Sequence, residues 1–526
     1  MKNRISSAVL IALFFSLSFS LNGAEFERVG TYDFPSTLAP EAQEHFLLGV
    51  GYLHSFGSTQ AQREFRLVQE LDPDFVLGYW GEAFTYQHPF FGPKHDGPGE
   101  TLMRLGATAE ERHAKARNDK ELGFLKAAEA YALTVGDMPE RRVAWKNAMA
   151  ELYEKYPEDD EVKAFYAVSI LSAAGASGDM APRMRMQAGA LAMELFKKND
   201  NHPGAAHYVI HAFDDPEHAP IALEAAFKYA DIAPAVSHAR HMPTHIFIQH
   251  GKWNEVALWN ESAYQVAREL WQPGDAVGEQ NHATDWGQYG DLQMGDVARS
   301  ERWIARAEET LSENPGDTRS ISTLKTVKAR HIIETEQWEL QEINDDLSGD
   351  QLLALGLSAI NLGDSELAQQ VADRMAVLLE ESPNNSALKV AHLEVAGLSQ
   401  LLGSHDSSGP VAMQMQEAGI AMLDEAVALA NAGPLPRGAA TPLKPAHEVA
   451  GDAYLHAGNA EKAAALFEQS LLRTPNRPHS LIGAARAYDQ MNEVSKAADM
   501  YIALLGIWND DSHPAVQEAK KYLSYN

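Results

Sequence analysis

Two His-x-x-x-His pairs, His207/His211 and His241/His245, are the strongest chemical signal in this sequence. A spacing of four puts two side chains on one face of a helix, a turn apart. The second pair follows the first by 34 residues at both members, which is the period of a two-helix repeat. The spacing therefore predicts four imidazoles at equivalent places on two neighbouring helices. Neutral imidazole is the commonest metal ligand, and packed helices lie about 8–10 Å apart, close enough for rings on both to meet at one ion. The ligands expected are His207, His211, His241 and His245, with His238 and His282 as possible further ligands. Asp214 and Asp215 follow His211 closely enough to orient a ligating ring by hydrogen-bonding its other nitrogen.

The chain has no cysteine, so thiolate ligands, disulfides and Cys nucleophiles are excluded. A His-rich set without sulfur suits zinc, copper, iron or nickel and does not choose among them. Nine of the 21 histidines fall between 202 and 282, so the clustering is local. Catalytic signatures are missing: there is no G-x-S-x-G elbow, no H-E-x-x-H helix and no glycine-rich phosphate loop. If a metal with an open position is held here, Asp285 or Tyr289 is the candidate base or acid. The same histidines can instead line a metal-free groove that hydrogen-bonds a peptide or protein ligand, or serve the repeat structurally.

The elements that must position these residues are helix pairs. Gly49, Tyr52, Ala61, Phe65 and Pro73 form one repeat, and Ala83 and Tyr86 continue it 34 residues beyond Gly49 and Tyr52. Near the other end, Gly451, Tyr454, Ala463, Phe467 and Pro475 form a second clean repeat, followed by Ala485, Tyr488, Ala497 and Tyr501. Small residues let the two helices of a pair approach, and aromatics fill the space between pairs. No alternating strand pattern of useful length occurs. The expectation is an all-α, right-handed superhelix of helix pairs. Its divisions are 1–24, a signal peptide; 25–157, N-terminal repeats with a long Gly/Pro-rich loop near 89–112; 158–310, the central His-rich repeats; 311–430, degenerate helical repeats; and 431–526, a linker with two repeats. Pro243 falls within the helix expected to carry His245, so that helix either starts near Met242 or bends there.

These residues resemble the tetratricopeptide repeat family, clearly at both ends and more weakly in the middle, over about two-thirds of the mature chain. HPGAAHYVIH at 202–211, HMPTHIF at 241–247 and YLHSF at 52–56 resemble motifs of exported bacterial proteins of that class. The resemblance implies a fold and a ligand groove but no reaction. It places the groove on the first helix of each pair, at repeat positions 2, 5, 9, 12 and 13. His207 and His241 take position 5, His211 and His245 position 9, and His238 position 2. In the next repeat His282, Asp285 and Tyr289 take positions 2, 5 and 9, and His54 and His88 take position 13 of the first two repeats. The groove residues so implied include His54, His88, Asp285 and Tyr289.

Net charge is −30, from 73 acidic and 43 basic residues, which argues against nucleic acid or an anionic membrane as partner and favours cations or basic partners. Lys2, Arg4 and the apolar run Ala8 to Leu21, with Asn-Gly-Ala at 22–24, read as a secretory signal. No later apolar stretch is long enough to span a bilayer. The expected location is exported, periplasmic or extracellular. The leading expectation is an exported repeat scaffold with a His-rich metal-binding centre. A metalloenzyme on the same groove and a metal-free adaptor are the alternatives.

Overall fold

The computed structural model describes residues 28–88, 92–93, 96–436, 440–508 and 510–525, without the side chains of 87–95 and 179. The expected signal at 1–24 lies outside them, and so does the side chain of His88. The described chain is a superhelix of antiparallel helix pairs, from Pro40–His54 and Ser58–Leu71 to Pro478–Gln490 and Val494–Leu505, closed by Pro514–Tyr525. The β structure among the described residues is one antiparallel pairing of Gln87–His88 with Gly92–Pro93. No helix among them is long and apolar enough to cross a membrane.

One packing rule recurs at both ends. Phe65, from the second helix of its pair, is wedged between Gly49 and Gly81, sixteen residues before and after it. A Cβ on Gly49 would lie 3.0 Å from the Phe65 ring, and one on Gly81 only 2.2 Å. Phe467 repeats this between Gly451 and Gly483, at 2.9 and 2.3 Å. The missing Cβ lets the aromatic ring reach the first helices of two successive pairs, and that contact sets the stacking of pair on pair.

The stretch expected as a loop at 89–112 is largely helical, over Gly97–Leu105 and Ala109–His113. Its glycine and proline density misleads for a local reason. Pro98 sits in the first turn, where its missing N–H costs nothing. Thr108 and Glu111 cap the second helix reciprocally. Of GSHDSSGP at 403–410, which also reads as a linker, only 406–408 lie between the helices Ser386–His405 and Gly409–Ala432.

The superhelix also folds back on itself. Asn476 O accepts from Trp253 Nε1 at 2.9 Å, and Gln293 O accepts from Trp508 Nε1 at 2.9 Å. Gly251 (φ +60°) lies so close to Asn476 that a Cβ would stand 2.4 Å from it. At the centre of this contact Arg477 is buried between Glu448 (2.7 Å) and Glu334 (2.8 Å) and donates to Tyr289 Oη at 3.2 Å. The N-terminal lead-in is tied in the same way, with Thr31 N donating to Asn201 O at 3.0 Å and Arg28 to Asp231 O at 3.0 Å.

Candidate metal centre

Pro203 opens the helix Pro203–Ala212, and His202 caps it by accepting from Ala205 N at 3.2 Å. His207 and His211 stand one turn apart on this helix, with ring centroids 4.7 Å apart. In the next repeat Pro243 breaks the helix without derailing it. Ser237–His241 and Pro243–Gln249 are separate helices joined at Met242, which keeps helical angles (φ −54°, ψ −36°). His245 N now bonds Met242 O, and the His241 carbonyl is taken by Thr244 Oγ1 at 2.7 Å. His241 and His245 therefore remain a working pair, with centroids 4.9 Å apart.

The four histidines of the two pairs do not meet at one point. They fall into two groups of three, His207/His211/His238 and His241/His245/His282, each with one nitrogen per ring mutually within 4.8 Å. His238 and His282 thus stand level with the paired histidines. Both groups follow one rule in repeat numbering: positions 5 and 9 of one first helix join position 2 of the next. The groups adjoin, with His211 and His245 centroids 6.0 Å apart and those of His238 and His241 6.2 Å apart. Each has an aromatic wall. Phe56 lies 4.3 Å from His207 and 5.2 Å from His238. Trp286 lies 4.4 Å from His245 and 4.8 Å from His241.

Hydrogen bonds fix which ring nitrogen faces inward. His245 Nδ1 donates to Asp214 Oδ2 at 2.6 Å. His241 Nδ1 donates to Asn260 Oδ1 at 2.7 Å, and the amide cannot be reversed because its Nδ2 donates to Val256 O at 2.8 Å. With both Nδ1 atoms protonated, two rings in their neutral form would turn lone pairs toward each other at the remaining contact, Nε2 to Nε2, 3.0 Å. Burial, followed by the neighbouring His282 and His245 rings, pushes His241 well below its ordinary range, so this ring stays neutral. Two facing lone pairs need a cation between or beside them. Nitrogens held at about 2.0–2.1 Å by a tetrahedral ion stand about 3.3 Å apart, close to the separation found. In the first group His207 Nδ1 donates to His54 O at 2.6 Å, and its Nε2 lies 3.2 Å from His238 Nε2. Asp214 is the outer partner expected from the sequence; Asp215 instead holds a turn and pairs with His218 at 2.7 Å.

A third group, His54/Glu161/His202, was not legible beforehand, since Glu161 is one acid among many. Its proton arithmetic differs. His202 Nδ1 accepts from Ala205 N, so its Nε2–H donates to Glu161 Oε1 at 3.0 Å. His54 Nε2–H donates to Glu161 Oε2 at 2.8 Å, and Tyr208 O–H donates to His54 Nδ1 at 2.8 Å. Burial alone would raise the Glu161 carboxyl, but the flanking imidazoles outweigh it and hold it at about 2. Every donor has an acceptor, which makes this a structural clamp between the first helix and the histidine repeats. His54, expected on the groove, is instead buried here, its ring stacked on Phe165 at 4.5 Å. Glu161→Gln puts an amide N–H against one imidazole N–H. It is expected to cost about 1–3 kcal/mol in urea unfolding and to leave bound metal unchanged; a loss of metal would make this group a ligand set.

Asp285 and Tyr289, the candidate base and acid, are engaged elsewhere. Asp285 Oδ1 pairs with Arg330 Nη2 at 2.6 Å, and the Arg330 guanidinium lies over the Tyr289 ring at 5.6 Å. Tyr289 Oη accepts from Arg477, and burial raises its phenol above the ordinary value. The C-terminal repeats thus occupy, through Arg477, the place where Tyr289 is expected to line an open groove, and Asp285 is taken up by Arg330 of the helix Thr318–Thr335.

A tetratricopeptide repeat family profile matches residues 454–521. A search of curated proteins found none that matches this chain. Among solved structures, the human IFIT1 dimer with m7Gppp-AAAA is similar at 11% identity and a TM-score of 0.33, over 90% of this chain and 91% of that one. Yeast Tom70 is similar at 12% identity and a TM-score of 0.28, over 92% and 88%. Cut9–Hcn1 of APC/C is similar at 11% identity and a TM-score of 0.33, over 92% and 76%. The chain thus carries a tetratricopeptide repeat match at residues 454–521, within an all-α superhelix of helix pairs.

Proposed function

We propose that this protein is an exported tetratricopeptide-type scaffold whose central repeats hold two transition-metal ions, one per histidine triad. The observation that carries the reading is the His241/His245 contact, where two anchored imidazoles present lone pairs to each other at 3.0 Å. An added proton would also relieve that contact, but a shared proton has no use for a third ring. His282, its centroid 4.2 Å from that of His241, completes a ligand set. Three imidazoles leave a tetrahedral ion one position for solvent or a further ligand. Zinc, copper, iron and nickel all accept such a set. Export is supported by Lys2, Arg4 and the apolar run to Leu21; the mature N-terminus is expected near Glu25.

Elemental analysis of protein purified without a histidine tag tests the reading. About two equivalents of metal per chain are expected. A wild type that holds none, even after incubation with zinc, copper, iron and nickel salts, would sink it and leave the added proton as the cation. Asp214→Asn supplies a finer test. It removes the carboxylate that fixes the His245 tautomer, and is expected to weaken one of the two ions about 10–100-fold in a chelator competition, leaving the other unchanged.

A further inference from the structure

Away from the histidines, a cavity of about 690 Å³ opens between the helices Gly349–Leu362, Ser386–His405 and Gly409–Ala432 and the segments 434–436 and 441–447. Its walls are mainly apolar, with Leu353, Leu388, Leu429, Pro434 and Leu443 among them. The charged side chains on this lining have partners, with one exception. Lys444 pairs with Glu448 at 2.8 Å, Asp350 accepts from Thr326 at 2.6 Å, and Arg473 donates to Ala430 O at 3.0 Å. Glu394 is 1% exposed, and its Oε1 has no hydrogen-bond partner. An unsatisfied buried carboxyl oxygen costs about 1–3 kcal/mol, so its presence in an otherwise satisfied pocket points to a ligand.

We propose that this cavity binds a small organic amine, its apolar body against the leucine and proline walls and its ammonium on Glu394. Lys444 acts on this carboxyl through its charge, but its ammonium pairs with Glu448, and Arg477 is held by Glu448 and Glu334. The net charge of −30 attracts organic cations and repels amphiphilic acids. Burial pushes the Glu394 carboxyl up to about 8, so at neutral pH an arriving ammonium displaces the carboxyl proton. The site is independent of the metal reading and needs no ion.

Isothermal titration calorimetry of the full chain with hexylamine, hexanol and hexanoate tests this. Hexylamine is expected to saturate at one equivalent, with hexanol and hexanoate weaker by at least about tenfold. Glu394→Gln is expected to remove that preference, weakening hexylamine about tenfold while leaving hexanol unchanged. Ala391→Phe, which fills the cavity, is expected to abolish binding with the helical circular dichroism intact. Added EDTA is expected to change nothing. Hexanoate binding as tightly as hexylamine, an undiminished Glu394→Gln, or no saturation by the amine would each overturn the proposal.

Discussion

Replacing His245 by alanine is expected to release one of two bound ions and leave the other in place. His245 belongs with His241 and His282, whereas His211 belongs with His207 and His238. His211→Ala should therefore take the opposite ion, and the double variant both. Each change removes one of three ligands, so the affinity lost should exceed the roughly 10–100-fold that an outer partner costs. Metal content per chain and far-ultraviolet circular dichroism read the result together, because the helices should survive either substitution. If each single substitution strips both ions, the six imidazoles act as one coupled centre and the division into two sites is wrong.

Arg477→Met is expected to be the most destabilising single change in the C-terminal half. Glu448 and Glu334, each 1% exposed at the side chain, would lose the guanidinium that neutralises them. Breaking a buried pair on one side costs about 3–5 kcal/mol, to be measured in urea unfolding. Proteolysis should then concentrate in 433–436 and 440–445, as the last repeats come away from Tyr289 and Glu334. A pH dependence follows from the same network. Burial alone would raise Glu448, but Arg477 and Lys444 outweigh it and hold the carboxyl well below the usual range. A depressed folded value means that stability is present above the unfolded carboxyl value of about 4.3 and is lost as pH falls below it. The wild-type repeats should therefore loosen below about pH 4, and Arg477→Met should lose most of that dependence. An Arg477→Met protein as stable as wild type would refute the account.

The helix pairs were legible because their causes are local. The 34-residue recurrence of Gly49/Tyr52 and Gly451/Tyr454 is written along the chain, and so is the one-turn spacing of His207 and His211. The grouping of the imidazoles was less so. It crosses from one repeat to the next, and the inserted stretch 272–280 displaces His282 from the 34-residue interval after His238. Numbering each repeat from its own signature recovers both as position 2; which ring joins which pair needed the helix-to-helix packing. Glu161 and Arg477 were not legible at all. Each acts through partners far along the chain, Glu161 on His54 and Arg477 on Tyr289, and no periodicity marks such contacts. Pro98 and Pro243 show the converse, since both lie where proline is tolerated, at the start of a helix.

The fold-back of the C-terminal repeats onto residues 249–334, with the lead-in tied to 199–232, changes how this molecule can deform. An open array of repeats behaves as a spring: it frays from its ends, and its coils lengthen or tighten under load. Here both ends are fastened to the middle coils, through Thr31 and Asn201 on one side and Arg477, Tyr289 and Trp508 on the other. A spring so fastened cannot change its pitch where it is pinned, and the pinned coils are those that carry the six imidazoles. The separations between rings on different helices can then be kept constant by contacts made far from the rings themselves.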